Sequence, residues 1–87
     1  MGLGQALRQG RLEAGLSQER AAAVLAVDAT TVSRYERDRV KEPDLGLVGR
    51  AIAHYPPERA GDILGAALGR AMTEVLQGFR GKEKSRG

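Results

Sequence analysis

The segment Gly15–Asp38 constrains the fold more than any other part of this chain. It reads GLSQERAAAVLAVDATTVSRYERD, and its small and apolar residues recur at the three- and four-residue spacing of helices. Ser17 and Asp28 are good N-caps, and Ala26-Val27 makes the turn before the second of them. The segment therefore predicts two short helices joined by a tight turn, near residues 18–25 and 29–37.

Three further segments carry apolar residues at helical spacing, near residues 3–14, 45–55 and 58–78. Gly15 ends the first of them, and Asp44 after Pro43 begins the next. The pair Pro56-Pro57 is the clearest boundary in the chain. We therefore expect an all-α fold, a compact domain of four to five helices. The predicted division is a domain over residues 1–55, a C-terminal helix over 56–79 and a flexible polar tail over 80–87.

Composition excludes several classes of protein. The chain of 87 residues has no cysteine, so disulfides and thiolate metal sites are ruled out, and the single His54 lacks partners for a zinc site. No apolar run approaches a membrane span, and the N-terminus does not resemble a secretory signal. Aromatic residues are too few for a protein that stacks single-stranded bases. No set of residues suggests catalysis, so we expect neither an enzyme nor a cofactor.

The net charge of +3 suggests a polyanionic partner. Its distribution weakens that suggestion, because residues 1–55 carry eight basic and seven acidic side chains. A face that binds phosphate must therefore arise from the separation of charges in space rather than from an overall excess.

Two motifs carry a resemblance to a known family. LRxxRLxxGLSQ is met from Leu7 to Gln18, and VxxxTVSRYER is met from Val27 to Arg37. With these motifs, Leu7–Tyr55 resembles the lambda-repressor-like helix-turn-helix family, which includes phage repressors, Cro proteins and many small bacterial regulators. The resemblance covers a little over half of the chain and leaves residues 56–87 outside it. It implies a compact helical domain whose third helix enters the major groove of DNA.

The resemblance also implies roles for individual side chains. The base-reading positions are Ala29, Thr30 and Arg34. Contacts with the DNA backbone are expected from Gln18, Thr31, Ser33, Arg37 and Arg39. Arg11 and Glu36 match a partly buried ion pair that ties the first helix to the third. An arginine such as Arg34 can grip guanine O6 and N7 with two parallel hydrogen bonds, while the methyl group of Thr30 suits a thymine methyl.

Three positions depart from the family pattern. Ala26 replaces the usual turn glycine, so a left-handed residue there would be strained. Asp28 replaces a common Ser or Thr and adds an anion close to DNA, although it remains a good cap. Asp38 replaces a glycine that usually ends the third helix.

The predicted C-terminal helix carries a long apolar face. We expect this face to form a dimer contact through Leu64, Leu68, Met72, Val75 and Phe79. A stripe of glycines at Gly61, Gly65 and Gly69 suggests close approach of another helix. The approaching helix is either a second chain or the fourth helix of the same chain.

The sequence thus favours a cytoplasmic bacterial or phage transcription regulator, a repressor that binds an inverted-repeat operator in double-stranded DNA as a homodimer. The alternative is a protein-interaction module, antitoxin-like or an adaptor, whose C-terminal helix holds a protein partner and whose DNA binding is secondary. Asp28, Ala26 and the weak basic bias of residues 1–55 favour this alternative.

Overall fold

The computed structural model describes the backbone of residues 1–86 and the side chains of residues 1–73 and 75–77. Within that range all regular secondary structure is helical, as the sequence predicts, and no strand is present. A 3-10 turn, Pro57–Arg59, precedes the last helix. The α-helices are α1 (Leu3–Glu13), α2 (Gln18–Leu25), α3 (Ala29–Glu36), α4 (Leu45–His54) and α5 (Ala60–Arg86). We call α1–α4 the headpiece.

Three helices begin at the side-chain caps that the sequence predicts. The Ser17 hydroxyl accepts from the Arg20 N–H, and Asp28 Oδ1 accepts from the Thr31 N–H at 2.7 Å. Asp44 caps α4 by accepting from the Gly46 N–H. Such caps satisfy N–H groups that have no acceptor within their own helix. The starts of α2, α3 and α4 are therefore fixed by local sequence.

The turn between α2 and α3 has the left-handed conformation that the family pattern places there. Ala26 has φ 60°, a value that costs a residue with a Cβ roughly 1–2 kcal/mol. The half-buried Val27 follows and packs against the core. Arg50 on α4 donates from Nε to the Leu25 carbonyl at 2.6 Å and so satisfies one of the free carbonyls at the end of α2. Packing on both sides of the turn thus holds Ala26 in a strained conformation.

Two glycines of α1 allow other elements to come unusually close. A Cβ on Gly4 would lie 2.6 Å from the Tyr35 carbonyl oxygen, and one on Gly10 would lie 2.7 Å from Cδ2 of Tyr55. The first contact is with backbone atoms, which cannot turn aside as a side chain can. The crossing of α1 over the end of α3 therefore depends on the absence of a side chain at Gly4.

One hydrophobic core joins all five helices. From α5 it receives Ile63 and Ala67, which are 0 % and 2 % exposed. Burial of an Ile or Leu side chain is worth about 1.5–3 kcal/mol, so this inner face of α5 is part of the folded domain. The buried apolar residues are Leu3, Ala6, Leu7, Ala21, Ala22, Leu25, Val32, Tyr35, Leu47, Val48, Ala51, Tyr55, Ile63 and Ala67.

Helix α5 differs from its predicted form in two respects. It runs to Arg86, across residues for which the sequence predicts a flexible tail. The lysine, glutamate and arginine residues of that segment are good helix formers, which agrees with a helix there. In addition, a Cβ on Gly61, Gly65 or Gly69 would meet nothing within 4 Å. The alternative in which this stripe packs on the fourth helix is therefore wrong.

Helix α5 contains 27 residues and is therefore about 40 Å long. Neither α5 nor any shorter helix of residues 1–86 is long and apolar enough to cross a bilayer.

Candidate nucleic-acid interface

Helix α3 has a buried face and an exposed face. Val32 and Tyr35 point into the core, where they are 3 % and 6 % exposed. Thr30, Arg34 and Arg37 are exposed, and their spacing of four and three residues places them along one side of α3. An exposed helix with a polar, arginine-bearing side has the form needed to enter the major groove.

A cluster of polar side chains around Glu36, the last residue of α3, holds the candidate interface in place. Arg11 donates to this carboxylate twice, from Nε at 2.7 Å and from Nη2 at 3.0 Å. The Nη1 group of Arg11 reaches the Leu16 carbonyl at 2.9 Å. The two charged side chains are only 10 % and 5 % exposed, and the bonds to Glu36 raise the pKa of Arg11. The ion pair that the resemblance implies thus joins α1, the α1–α2 turn and α3.

Gln18 belongs to the same cluster. Its side-chain amide donates to Oε1 of Glu36 at 3.2 Å, so the side chain is partly engaged within the protein. Its backbone N–H lies in the first turn of α2, where helices leave N–H groups without an internal acceptor. That N–H group is suited to a phosphate oxygen, the ligand that the sequence predicts for this position.

The first turn of α3 offers less side-chain surface than the sequence predicts. Ala29 is half-buried and packs against the core, and Thr31 and Ser33 are half-buried too, whereas Thr30 is exposed. Hydrogen bonds from the side chain and the backbone of Thr31 lower the pKa of Asp28, with a smaller effect from the charge of Arg34. Asp28 is thus an ionised cap at the edge of the candidate interface.

The far end of α3 is an acidic turn between two exposed arginines. Arg37 ends the helix, Asp38 takes a left-handed conformation with φ 58°, and Arg39 follows. The Tyr35 hydroxyl, just before this turn, accepts from the Asp44 N–H at 2.8 Å and so ties α3 to the start of α4. Arg37 and Arg39 are therefore placed at the end of a helix whose last turn is fixed to its neighbour.

Three contacts of this turn were not predicted from the sequence. Oδ1 of Asp38 accepts from the Gly4 N–H at 3.1 Å and from Nη2 of Arg70 at 2.7 Å. Nη1 of Arg70 also donates to the Val40 carbonyl. The available signals were weak: an aspartate in a position typical of glycine, and a single basic residue between Arg59 and Arg80.

The predicted dimer face is exposed on α5 wherever its side chains are described. Phe79, also predicted for this face, lies outside the described side chains. We call the exposed apolar side chains the outer face of α5, and they are 47–64 % exposed: Leu64, Leu68, Met72, Val75 and Leu76. Val75 also lines a groove of about 330 Å³, together with Glu42, Pro43, Leu45 and Ala71.

In the described part of the chain, no three His, Cys, Asp or Glu side chains come together in a group that could hold a metal ion.

Comparison with protein families gives one match. Residues 2–56 fit the family model described as a helix-turn-helix domain. This range contains the whole headpiece and ends before α5. No curated protein and no solved structure gives a significant match to the chain.

Proposed function

Because the chain belongs to the helix-turn-helix domain family, we propose that it is a sequence-specific transcription regulator of the lambda-repressor-like type. The observation that carries this proposal is the exposed side of α3, with Thr30, Arg34 and Arg37 in line. The opposite side of the same helix is packed into the core, so α3 has one fixed face to present to double-stranded DNA.

Base reading is assigned to Arg34 first. Its guanidinium is exposed in the middle of α3 and is suited to guanine O6 and N7. Thr30 offers its methyl group to thymine from the first turn. Ala29 has the weaker role, because its half-buried side chain leaves only part of its surface for a base.

Contacts with phosphates are assigned around this reading face. Gln18 contributes through the first turn of α2, and Arg37 and Arg39 contribute beyond the end of α3. Thr31 and Ser33 are also assigned to phosphates, which their short side chains would contact by donating hydrogen bonds from the hydroxyl groups. Such contacts set position and nonspecific affinity, while base contacts select the sequence.

A homodimer is proposed through the outer face of α5. Four of those side chains, Leu64, Leu68, Met72 and Val75, follow one another at intervals of four, four and three residues, which is the spacing of a helix–helix seam. The adjoining groove beside Leu45, which is 70 % exposed, extends the apolar surface onto the headpiece. Two copies would present two α3 helices to half-sites about 34 Å apart, so the operator would be an inverted repeat.

Repression by occlusion of polymerase from the operator is the proposed outcome of binding. Bacterial or phage DNA as the target implies a cytoplasmic location.

Selection from a random-sequence duplex library at two salt concentrations tests DNA reading. We expect enrichment of a short inverted repeat and loss of affinity between about 50 and 200 mM salt. A protein that enriches no sequence and shows no salt dependence would refute the function.

In Arg34→Ala, preference at one base position of each half-site should weaken by about 1–3 kcal/mol. Arg8→Ala is the matched control, because it removes an exposed charge from α1 and should leave base preference unchanged.

Sedimentation of Leu68→Glu tests the dimer. We expect a monomer that still binds a half-site but loses its advantage on the full repeat. Thr73→Glu adds the same charge to another exposed side of α5 and should stay dimeric. Equal dimerisation of both variants would contradict the assigned face. Deletion of the whole helix is unsuitable, because Ile63 and Ala67 belong to the core.

The second candidate is a protein-interaction module, antitoxin-like or an adaptor, and the exposed outer face of α5 favours it. A protein partner on that face would be lost in Leu68→Glu and kept in Thr73→Glu. The two functions differ in the library selection, where this module enriches no sequence.

A further inference from the structure

Three elements meet at the carboxylate of Asp38. Helix α1 has no side-chain cap of its own, since its N-cap is Gly2, and Asp38 supplies an acceptor for the Gly4 N–H from another part of the chain. A carboxylate at the N-terminus of a helix is also favoured by the helix dipole. From the opposite side, Arg70 of α5 pairs with the same oxygen at 2.7 Å.

The position of this carboxylate raises an electrostatic difficulty for DNA binding. Asp38 stands between Arg37 and Arg39, which are the proposed phosphate contacts, and its side chain is 46 % exposed. The field of a free anion there would be screened only over about 8 Å, so it would weaken the positive potential that the two neighbouring arginines offer to a phosphate. Without compensation, it would oppose the binding that its neighbours promote.

We propose that Arg70 is a positioning residue for DNA binding: it neutralises Asp38 and fixes the turn that carries Arg37 and Arg39. This inference rests on the proposed function. Nη2 of Arg70 pairs with Asp38, and Nη1 donates to the Val40 carbonyl two residues further on. One guanidinium therefore holds both the charge and the backbone of the turn, a double contact that the ammonium group of lysine cannot reproduce.

The conformation of Asp38 agrees with this role. Its φ of 58° lies in the left-handed region, which residues other than glycine, asparagine and aspartate rarely adopt. Glycine would remove the strain but would supply neither the bond to Gly4 nor the pair with Arg70. The Asp38 side chain therefore makes two contacts that glycine could not make, although its backbone is strained.

A double-mutant cycle tests the inference on the full chain, with a duplex from the library selection as the probe. Arg70→Met should weaken binding about three- to tenfold, because Asp38 is left as a free anion beside the phosphates. Asp38→Asn should bind at least as tightly as the wild type, since asparagine also tolerates a left-handed conformation. The double variant should regain most of the affinity that Arg70→Met loses.

A purely structural role for Arg70 gives a different pattern. In that case the double variant would bind as poorly as Arg70→Met, and the losses of both would follow their melting temperatures. That pattern, or wild-type affinity in Arg70→Met, would overturn the inference while leaving the proposed function intact. Arg59→Met is the matched control, because Arg59 pairs with Glu13 and Asp62 away from this turn. A wild type that binds no duplex would refute both proposals.

Discussion

The headpiece and the outer face of α5 use the same kinds of residue in opposite ways. In the headpiece, Gly4 sits where a Cβ would strike backbone, and Arg11 is buried against Glu36. On α5, a Cβ on Gly65 would meet nothing within 4 Å, and Leu68 is 51 % exposed. The contrast shows that Gly4 and Arg11 are closely packed within the single chain, whereas the outer face of α5 leaves about half of each described apolar side chain exposed.

The largest expected effect comes from Glu36→Ala. It leaves Arg11 charged and nearly buried, and removal of one partner from such a pair costs about 3 kcal/mol of unfolding free energy. At protein concentrations low enough for the monomer, Leu68→Ala should change that free energy by less than about 0.5 kcal/mol, as exposed sites do. Urea denaturation at several protein concentrations measures both. A loss in Leu68→Ala that depends on concentration would show that a second chain covers the outer face.

A smaller contrast is expected when a methyl group is added to the two glycines. Gly4→Ala should lower the unfolding free energy by about 1–3 kcal/mol, because its Cβ overlaps the Tyr35 carbonyl. Gly65→Ala meets open space and should raise it by up to about 1 kcal/mol through helix propensity. Thermal melts of the two variants compare the regions directly. Stabilisation by Gly4→Ala would mean that the α1–α3 crossing is looser than the structure shows.

A third effect concerns the joint between the regions, where Tyr55 packs on α1 near α5. Its hydroxyl is buried without a partner among the described residues, and burial raises its pKa to about 12. Tyr55→Phe should therefore stabilise the fold by about 1 kcal/mol. Tyr35→Phe is the control and should destabilise by a similar amount, about 1 kcal/mol, because its hydroxyl accepts from Asp44.

The same tyrosine predicts an alkaline transition. A pKa raised in the folded state means that stability is intact below pH 10 and is lost as the pH rises toward 12. Tyr55→Phe should lack this part of the loss. An unchanged alkaline transition in that variant would assign it to other groups.

The smallest expected effect is a loss of stability in acid. Hydrogen bonds from Arg59 and Gln9 lower the pKa of Glu13, which joins α1 to the 3-10 turn before α5. A lowered folded-state pKa gives stability above about pH 4 that is lost as the pH falls through the folded value. Melting temperatures of Glu13→Gln should therefore fall less than those of the wild type between pH 5 and pH 2. Parallel curves would rule Glu13 out as a contributor.

Local sequence accounts for much of the fold. The helix starts follow from Ser17, Asp28 and Asp44, because a cap acts within three residues of its own position. The single turn residue Ala26 also has the left-handed conformation that the family pattern implies. These features could be predicted because each depends on a few adjacent residues.

Contacts between residues that are far apart in the chain could not be predicted from the sequence. The pairing of Asp38 with Arg70 spans 32 positions, and neither residue type indicates its partner. The constraint on Gly4 depends on how α1 crosses α3, which composition does not specify. The base-reading and dimer residues stay predictions, because exposure on a helix allows a contact without demonstrating one.

The unbroken course of α5 also fixes an angle. Ile63 lies in the core and Met72 lies on the outer face of one continuous helix, which turns about 100° for each residue. A molecule bound at Met72 would therefore have a fixed rotation about the α5 axis relative to the headpiece, because the helix between the two residues is continuous. One residue inserted between these positions would rotate that molecule about the helix axis by more than a quarter turn. The number of residues between Ile63 and Met72 therefore fixes the orientation of a bound molecule as well as its distance.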